Sequence, residues 1–587
     1  MRILAVTLCA SALLCAAHYT PGPDSQPQPG VPKGTLTKHV LPPGKLYPGI
    51  PHNYSVYVPA QYNASKATPF MIFLDGAGFA GNMHVPIVFD NLISKREIPP
   101  MIGIFIDPGV LPVLSPDAQN RYNRIFEYDN MSDRYSRFLT DELIPEVAKE
   151  YNLSKDPDDR GIGGSSTGGV GAFVAAWHRP DQFHRVFTFV GTFVDMKGAD
   201  HFAALIRKTE TKPIRIFMQD GRADHIVPNQ PWGTFYAGSW PINNQVMYEA
   251  FQFAGYDVHY ELGDEGHNGK HGAAIMPEVI RWLWRGYPER ITVREPAMLN
   301  QAGWDPRGKV SSVVAAAKPW EAIGSSSAAY GNPVADKEGD VFFGDAEKHR
   351  IYKSDALGAV TVFKEHADSY ALATGSDGRL YASQPQRKRI VSYSAAGEEI
   401  VIAQGITADQ IALNVKGDLY YTDTAQRIVG RIDPQGHKQI AYKGGGLNDP
   451  DGLAFSPDQA MLLVTDKRSR FDWSFQIAAD GSLINGEPFY RMEMPETVIE
   501  KGATAVTSDA IGQIYFATPL GIQICEANGR VATILNSPNV DAISGLAFGG
   551  KNLDWLYVTA GGKLYRRPVK QTGVAVWSPI KPPKPPL

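Results

Sequence analysis

The chain has 587 residues, too many for one compact domain at roughly 150 residues each. Hydrophobic residues make up 43%, charged residues 20% and aromatics 11%, a core-forming balance that excludes disordered, collagenous and coiled-coil proteins. With 57 Lys+Arg against 61 Asp+Glu the net charge is -4, so there is no basic excess to dock on nucleic acid or an anionic membrane.

Residues 2–17 (RILAVTLCASALLCAA) carry one Arg, an apolar run and then small residues before His18. This is the pattern of a secretory signal, too short to span a bilayer. Leu14 stands before Cys15 where a lipoprotein signal needs a small residue, which favours soluble export over a lipid anchor. Cleavage near Ala17 removes Cys9 and Cys15 and leaves Cys525 as the one thiol, so the expectation is an exported, periplasmic or secreted protein without a disulfide. Residues 18–33 are rich in Pro and Gly without periodicity and read as a flexible linker, with order beginning near Gly34.

From 34 to 290 strand-like runs (HNYSVYVP, TPFMIFLDG, MIGIFIDPG, RVFTFVGTF, PIRIFMQDG) alternate with helical patterns such as DRYSRFLTDELIPEVAKEY and AAIMPEVIRWLWRGYP. Strand, helix, strand order predicts an α/β domain with a largely parallel sheet. Residues 291–320 read as a connector. Beyond it the texture changes to short strands with Gly, Asp and Asn turns. GDVFFGD, GRLYAS, GDLYYTD, AMLLVTD, GQIYFAT and DWLYVTA align on Phe342, Tyr381, Tyr420, Leu463, Tyr515 and Tyr557, at intervals of 39, 39, 43, 52 and 42 residues. Such intervals suit four-stranded blades, and six copies predict a six-bladed β-propeller over 321–575. Residues 576–587 form a Pro-rich tail.

Gly164-Ser165-Ser166-Thr167-Gly168 fits G-x-S-x-G between a strand (RGIGG) and a helix (GVGAFVAAWHRP). At such an elbow a serine is held in a turn that only small neighbours permit, and the next amide faces an oxyanion. Ser166 is therefore the candidate nucleophile. In an α/β domain with such an elbow the order is serine, then Asp or Glu, then histidine. Asp224, after PIRIFMQDG, is the candidate acid, with Asp220 and Asp257 as alternatives, and His267 in the Gly-flanked loop EGHNG is the candidate base, with His271 as its competitor. Oxyanion donors are expected at the amides of Thr167 and, in the Asp75-Gly76-Ala77-Gly78-Phe79 loop, Ala77. Phe79, Trp232 and Tyr236 are aromatic residues that could pack or face substrate. No HExxH, CxxC or P-loop occurs, and no cofactor is expected.

YPGIPHNYSVYVPAQY, MIFLDGAGF, VPIVFDNLI, RIFEYD, GGSSTGG, RPDQFHRVF, FMQDGRAD and EGHNGKHGAAIMPEVIRWLW resemble the enterochelin-esterase-like family, related to feruloyl and acetylxylan esterases. The resemblance covers nearly all of 45–288. It implies an α/β-hydrolase fold with Ser166, His267 and Asp224 as nucleophile, base and acid. DPDGLAFSPDQAMLLVTD, GQIYFATPLGIQICEANGRV and LYRRPV resemble the gluconolactonase/regucalcin propellers over 330–568. That resemblance implies a central divalent cation held by Glu, Asn and Asp. At the corresponding places this chain has Gly331-Asn332-Pro333 for Glu-Gly-Pro, Pro450-Asp451-Gly452 for Pro-Asn-Gly and Ala503-Thr504-Ala505 for Ala-Asp-Gly, and Asp409 stands at a further Asn position. Losing two carboxylates leaves an incomplete oxygen set for a hard cation, so no metal is expected.

The expectation is an α/β-hydrolase domain followed by an all-β six-bladed propeller. Its activity is that of a serine esterase acting on a small-molecule or polysaccharide-linked ester, whether carbohydrate, phenolic or siderophore. The alternatives are a metal-dependent lactonase in the propeller and a non-catalytic binding protein.

Overall fold

The computed structural model describes residues 19–114, 119–224, 238–293, 312–314, 318–327, 330–494 and 502–580. The signal segment 1–17, Trp232 and Tyr236 lie outside the described residues, as does most of the connector over 291–320 and of the tail. The chain divides into two compact units, residues 1–203 with 212–295 and residues 204–211 with 296–587.

The first unit is built on an eight-stranded mixed sheet: β1 (Thr35–Leu41), β2 (His52–Val58), β3 (Phe70–Leu74), β4 (Ile102–Ile106), β5 (Arg160–Ser165), β6 (Arg185–Phe189), β7 (Arg215–Gly221) and β8 (Asp257–Gly263). Their spatial order is β1-β2-β4-β3-β5-β6-β7-β8. β1 and β2 pair antiparallel, as do β2 and β4, and every other neighbour pair is parallel. Parallel strands need helical crossovers that cover both faces, and accordingly β3, β4 and β6 are buried along their whole length. Four main helices supply cover: α1 (Val85–Ser94), α2 (Thr167–His178), α3 (Trp240–Ala254) and α4 (Lys270–Trp284). The core on one side joins Phe73, Phe89, Phe105, Phe187 and Phe217 of the sheet and α1 to Met276, Ile280 and Trp284 of α4. The helix expected within 133–151 is present over 134–147, its middle turn widened to a π-helix at Phe138–Leu143 just ahead of Pro145. Pro145 has no amide to close an α-turn, so the ladder is rerouted there.

The segment over 19–33, read as a flexible linker, is instead fixed on this unit. Asn91 Nδ2 donates to the carbonyls of Asp24 and Gln26, both at 2.9 Å. The Asp24 carboxylate pairs with Lys95 and Arg281, and Ser25 is buried. Pro-rich backbone has few amides to satisfy, so a handful of side chains from α1 and α4 is enough to hold it.

The second unit is a ring of six four-stranded sheets. The aligned positions Phe342, Tyr381, Tyr420, Leu463, Tyr515 and Tyr557 all fall in the second strand of their blades. The turns before these strands reuse one device, as at Gly417 (φ 89°) and Gly512 (φ 89°), where a left-handed residue closes a turn on an Asn or Asp carbonyl. The sixth sheet takes Ile543–Gly549, Trp555–Ala560 and Lys563–Pro568 from the end of the propeller and Glu321–Ile323 from its beginning. Glu321–Ile323 runs antiparallel to Lys563–Pro568, which closes the ring and leaves no inter-blade gap.

Candidate active site

The elbow is explained by what its glycines touch. A Cβ on Gly164 would lie 2.4 Å from the carbonyl oxygen of Gly168, and one on Gly168 would lie 2.9 Å from Asp75 Oδ2. With small residues on both sides, β5 turns directly into α2, and Ser166 sits at φ 58° and ψ -127°. For a residue with a side chain this conformation costs about 1–3 kcal/mol and persists only where surroundings enforce it. Here the Ser166 amide donates to Phe189 O at 2.8 Å and its carbonyl accepts from Thr192 N at 3.2 Å. Val190, also at positive φ (41°), shapes the turn that brings Thr192 alongside.

Ser166 Oγ lies 2.8 Å from His267 Nε2, and His267 Nδ1 lies 2.9 Å from Asp224 Oδ2 and 3.0 Å from Oδ1. Ser166 extends from the end of β5, Asp224 from the loop after β7 and His267 from the loop after β8, all at the carboxyl edge of the sheet. The hydrogen bonds define the tautomer: Nδ1–H donates to the carboxylate, leaving Nε2 to accept from the hydroxyl. Trp240, at the start of α3, presents an edge-to-face contact to the His267 ring at 5.4 Å between centroids. Thr192 Oγ1 is 3.2 Å from Ser166 Oγ.

The competing candidates fall elsewhere. Asp257 pairs with Arg215 at 2.7 Å and Arg285 at 2.5 Å. His271 is buried, accepts from Gln219 Nε2 at 3.2 Å and stacks on Tyr19 at 4.0 Å between centroids, and burial lowers its pKa. Asp220 lies buried beside Asp224. Burial, followed by the Asp224 charge, pushes it up to about 8, while Asn244 Nδ2 donates to its Oδ2 at 3.0 Å. Asp220 is therefore held protonated at neutral pH.

The expected oxyanion donors separate. Thr167 begins α2, so its amide belongs to the first turn, which has no intrahelical acceptor and carries the positive end of the helix dipole. The Ala77 amide, by contrast, donates to Asp107 Oδ1 at 2.9 Å. This corrects the expectation that it opens toward the nucleophile: the Asp107 carboxylate, after β4, reaches the loop first. Arg124 is a participant the sequence reading did not single out. Its guanidinium holds both oxygens of Asp75 (2.8 and 2.7 Å), donates to Ser165 O at 3.2 Å and bonds the Thr167 hydroxyl, tying the loop after β3 to the elbow. A cleft of about 500 Å³ beside the elbow is lined by Tyr19, Asp75, Phe79, Met83, Ser165 and Lys270, among others. The Tyr19 hydroxyl is fixed there by the Asp264 amide at 3.0 Å.

Comparison with known proteins gives two family matches. Residues 48–272 match the family described as "Putative esterase", and residues 331–562 match the "SMP-30/Gluconolactonase/LRE-like region". The first unit carries an esterase-family domain. Over 242 residues the chain is 25% identical to the iron(III) enterobactin esterase of Dickeya dadantii, covering 39% of this chain and 50% of that protein. The chain thus spans about half the length of that relative. The gluconolactonase of Zymomonas mobilis is 20% identical over 308 residues, covering 45% of this chain and 85% of that protein. Among solved structures, a ferulic acid esterase aligns at 19% identity and a TM-score of 0.34, covering 43% of this chain and 98% of the other. An esterase-family domain is thus followed by a gluconolactonase-like propeller.

Proposed function

We propose that the chain is an exported serine esterase in which the esterase-family domain cleaves a carboxylic ester through Ser166, His267 and Asp224. The observation that carries this reading is the continuous path from Ser166 Oγ through His267 to Asp224, at 2.8 and 2.9 Å. Ser166 Oγ attacks the acyl carbon while His267 Nε2 takes its proton, and Asp224 stabilises the imidazolium that forms. The Thr167 amide, with the dipole of α2 behind it, meets the developing oxyanion. His267 then returns the proton to the departing alcohol. Water, deprotonated by the same histidine, releases the acid.

The Arg124 bridge supports the arrangement without touching the reacting atoms, because it holds the Asp75 loop and the elbow in one geometry. The cleft, with apolar Phe79 and Met83 beside aromatic Tyr19 and cationic Lys270, suits an acyl group with an apolar body and a polar or anionic margin. A panel of acetyl, feruloyl and longer acyl esters read against Ser166→Ala tests the reading. The wild type is expected to hydrolyse at least one class, with activity in the variant lower by about 10⁴-fold or more. A serine-directed phosphonate should label Ser166. Full activity in Ser166→Ala would end the proposal.

A further inference from the structure

The resemblance of the propeller to gluconolactonases implies a divalent cation at its centre, and the residues present can be tested for fit. Gly331, Asp409, Asp451 and Thr504 all stand at or just before the innermost strands of blades one, three, four and five (Val334–Ala335, Gln410–Leu413, Pro450–Phe455 and Ala505–Ser508). Inner strands of successive blades pack on one another around the axis.

At Gly331 a Cβ would lie 2.0 Å from the carbonyl oxygen of Tyr370, so no ligand side chain can be grown there without moving the backbone of the next blade. Thr504 Oγ1 donates to Ile543 O at 2.7 Å and is spent on a cross-blade bond. Asp409 Oδ2 accepts from Thr424 N at 2.7 Å. The buried Asp451 carboxylate faces Lys467 Nζ at 2.7 Å. The oxygen set therefore does not fit a divalent ion. Among the described residues, no group of three or more His, Cys, Asp or Glu side chains is placed to hold one.

Lys467 is itself held in position. It follows the strand Met461–Asp466, its amide donates to Asp449 O at 3.0 Å, and its carbonyl accepts from Gly502 N at 2.6 Å. Asp449 is paired with Arg468 at 3.2 Å. Among the described residues, Asp449 is thus paired with Arg468 and the buried Asp451 with Lys467, while Asp409 is held by the Thr424 amide.

We propose that the Lys467 ammonium is the resident cation of this propeller, neutralising Asp451 in the position where relatives place a metal ligand, so that the ring holds its axial carboxylates without a divalent ion. The charges agree with this. Burial pushes Asp451 up to about 6, with Lys467 pulling the other way. Lys467 is raised although its own burial acts to lower it, because Asp451, then Tyr370 and Asp449, favour its charge. An ammonium is a fixed, monovalent, non-exchangeable charge, so the site has no open coordination position and cannot polarise a lactone carbonyl as a Lewis acid does. The inference stands apart from the esterase reading, since its readouts do not involve ester turnover.

The test is made on the full chain by thermal unfolding and calorimetric titration with Ca²⁺ and Mn²⁺ alone. The wild type and Lys467→Arg are expected to melt at the same temperature in chelator and in about 1 mM divalent ion, showing no saturable binding below that concentration. Lys467→Met leaves Asp451 buried and unpaired. It should melt several degrees lower, in chelator and in divalent ion alike, because losing the ammonium restores none of the missing oxygen ligands. Lys467→Met/Asp451→Asn removes both charges; it should be more stable than Lys467→Met and insensitive to the ions. If Lys467→Met does not fold while the double variant does, the neutralising role is supported by that contrast alone. A micromolar divalent site in the wild type would overturn the proposal. So would a Lys467→Met protein with no loss of melting temperature, or a double variant no better than the single one.

Discussion

His267 and His271 lie four residues apart, and their surroundings separate them. His267 has one nitrogen on Ser166 and the other on Asp224, whereas His271 is enclosed by Gln219 and Tyr19. His267→Ala should lower kcat by about 10⁴-fold or more, and His271→Ala by far less, mainly through packing. The reverse ranking in steady-state kinetics would move the base to His271. The Asp220 and Asp224 pair gives a second expectation. Asp220 is raised from 3.8 to about 8, so the native state binds a proton there that the unfolded chain has released. Its favourable contribution is complete below pH 3.8 and fades as pH rises through about 8. Asn is shaped like the protonated acid and can donate to Asp224, so Asp220→Asn should keep activity at pH 7 and melt higher than the wild type above pH 8, the gap closing toward pH 4. Melting curves across that range decide it; an equal gap at every pH would show that the proton is not held there.

At the scale of elements, the anchored segment before β1 acts as a clasp between α1 and α4. Asp24 binds Lys95 and Arg281, side chains that are 48% and 30% exposed, so solvent screening limits the contribution to about 1 kcal/mol. Burial alone would raise Asp24, but the hydrogen bonds from Lys95 and Arg281 outweigh it and lower the pKa. Its stabilisation is therefore present above the unfolded value of 3.8 and lost as pH falls through the lower native value. Asp24→Asn should lower the melting temperature by a few degrees at pH 7, and the difference should vanish in acid. An unchanged melting temperature at pH 7 would mean the clasp adds nothing.

This segment also marks what sequence can carry. The elbow was legible because Gly164 is demanded by the Gly168 carbonyl four residues on, and the blades because one turn chemistry recurs about every 40 residues. Ser166, Asp224 and His267 were legible as an order along the chain. The roles of Arg124, Asn91 and Lys467 were not, because each depends on a partner that is near only after folding: Asp75, 49 residues away, the carbonyl of Asp24, 67 residues away, and the carboxylate of Asp451. The Ala77 amide was misplaced for the same reason, since its acceptor Asp107 stands at the end of another strand.

For the molecule as a whole, two units with separate cores replace any covalent staple: among the described residues the one cysteine, Cys525, is buried and unpaired. The propeller relies on its closure strand. Removing Glu321–Ile323 would leave the outer edge of Lys563–Pro568 without a partner and strip Arg566 of its bond to Glu321 at 3.1 Å. Such a deletion should lower the propeller's melting temperature and increase association through the exposed edge, both measurable by calorimetry and light scattering; an unchanged melting temperature and an unchanged scattering mass would show that closure is dispensable.

The same strand sets a clock. Glu321–Ile323 is made early, and its partner Lys563–Pro568 follows roughly 240 residues later, a wait of tens of seconds at ribosomal speeds of about 5–20 residues per second. For that interval the first strand is an unpaired template competing for any other edge in reach, while the esterase-family domain ahead of it is already complete in sequence. The ring can therefore fold as a ring only after synthesis of its last blade, and the order of domains along the gene makes the catalytic candidate the early product and the propeller the late one.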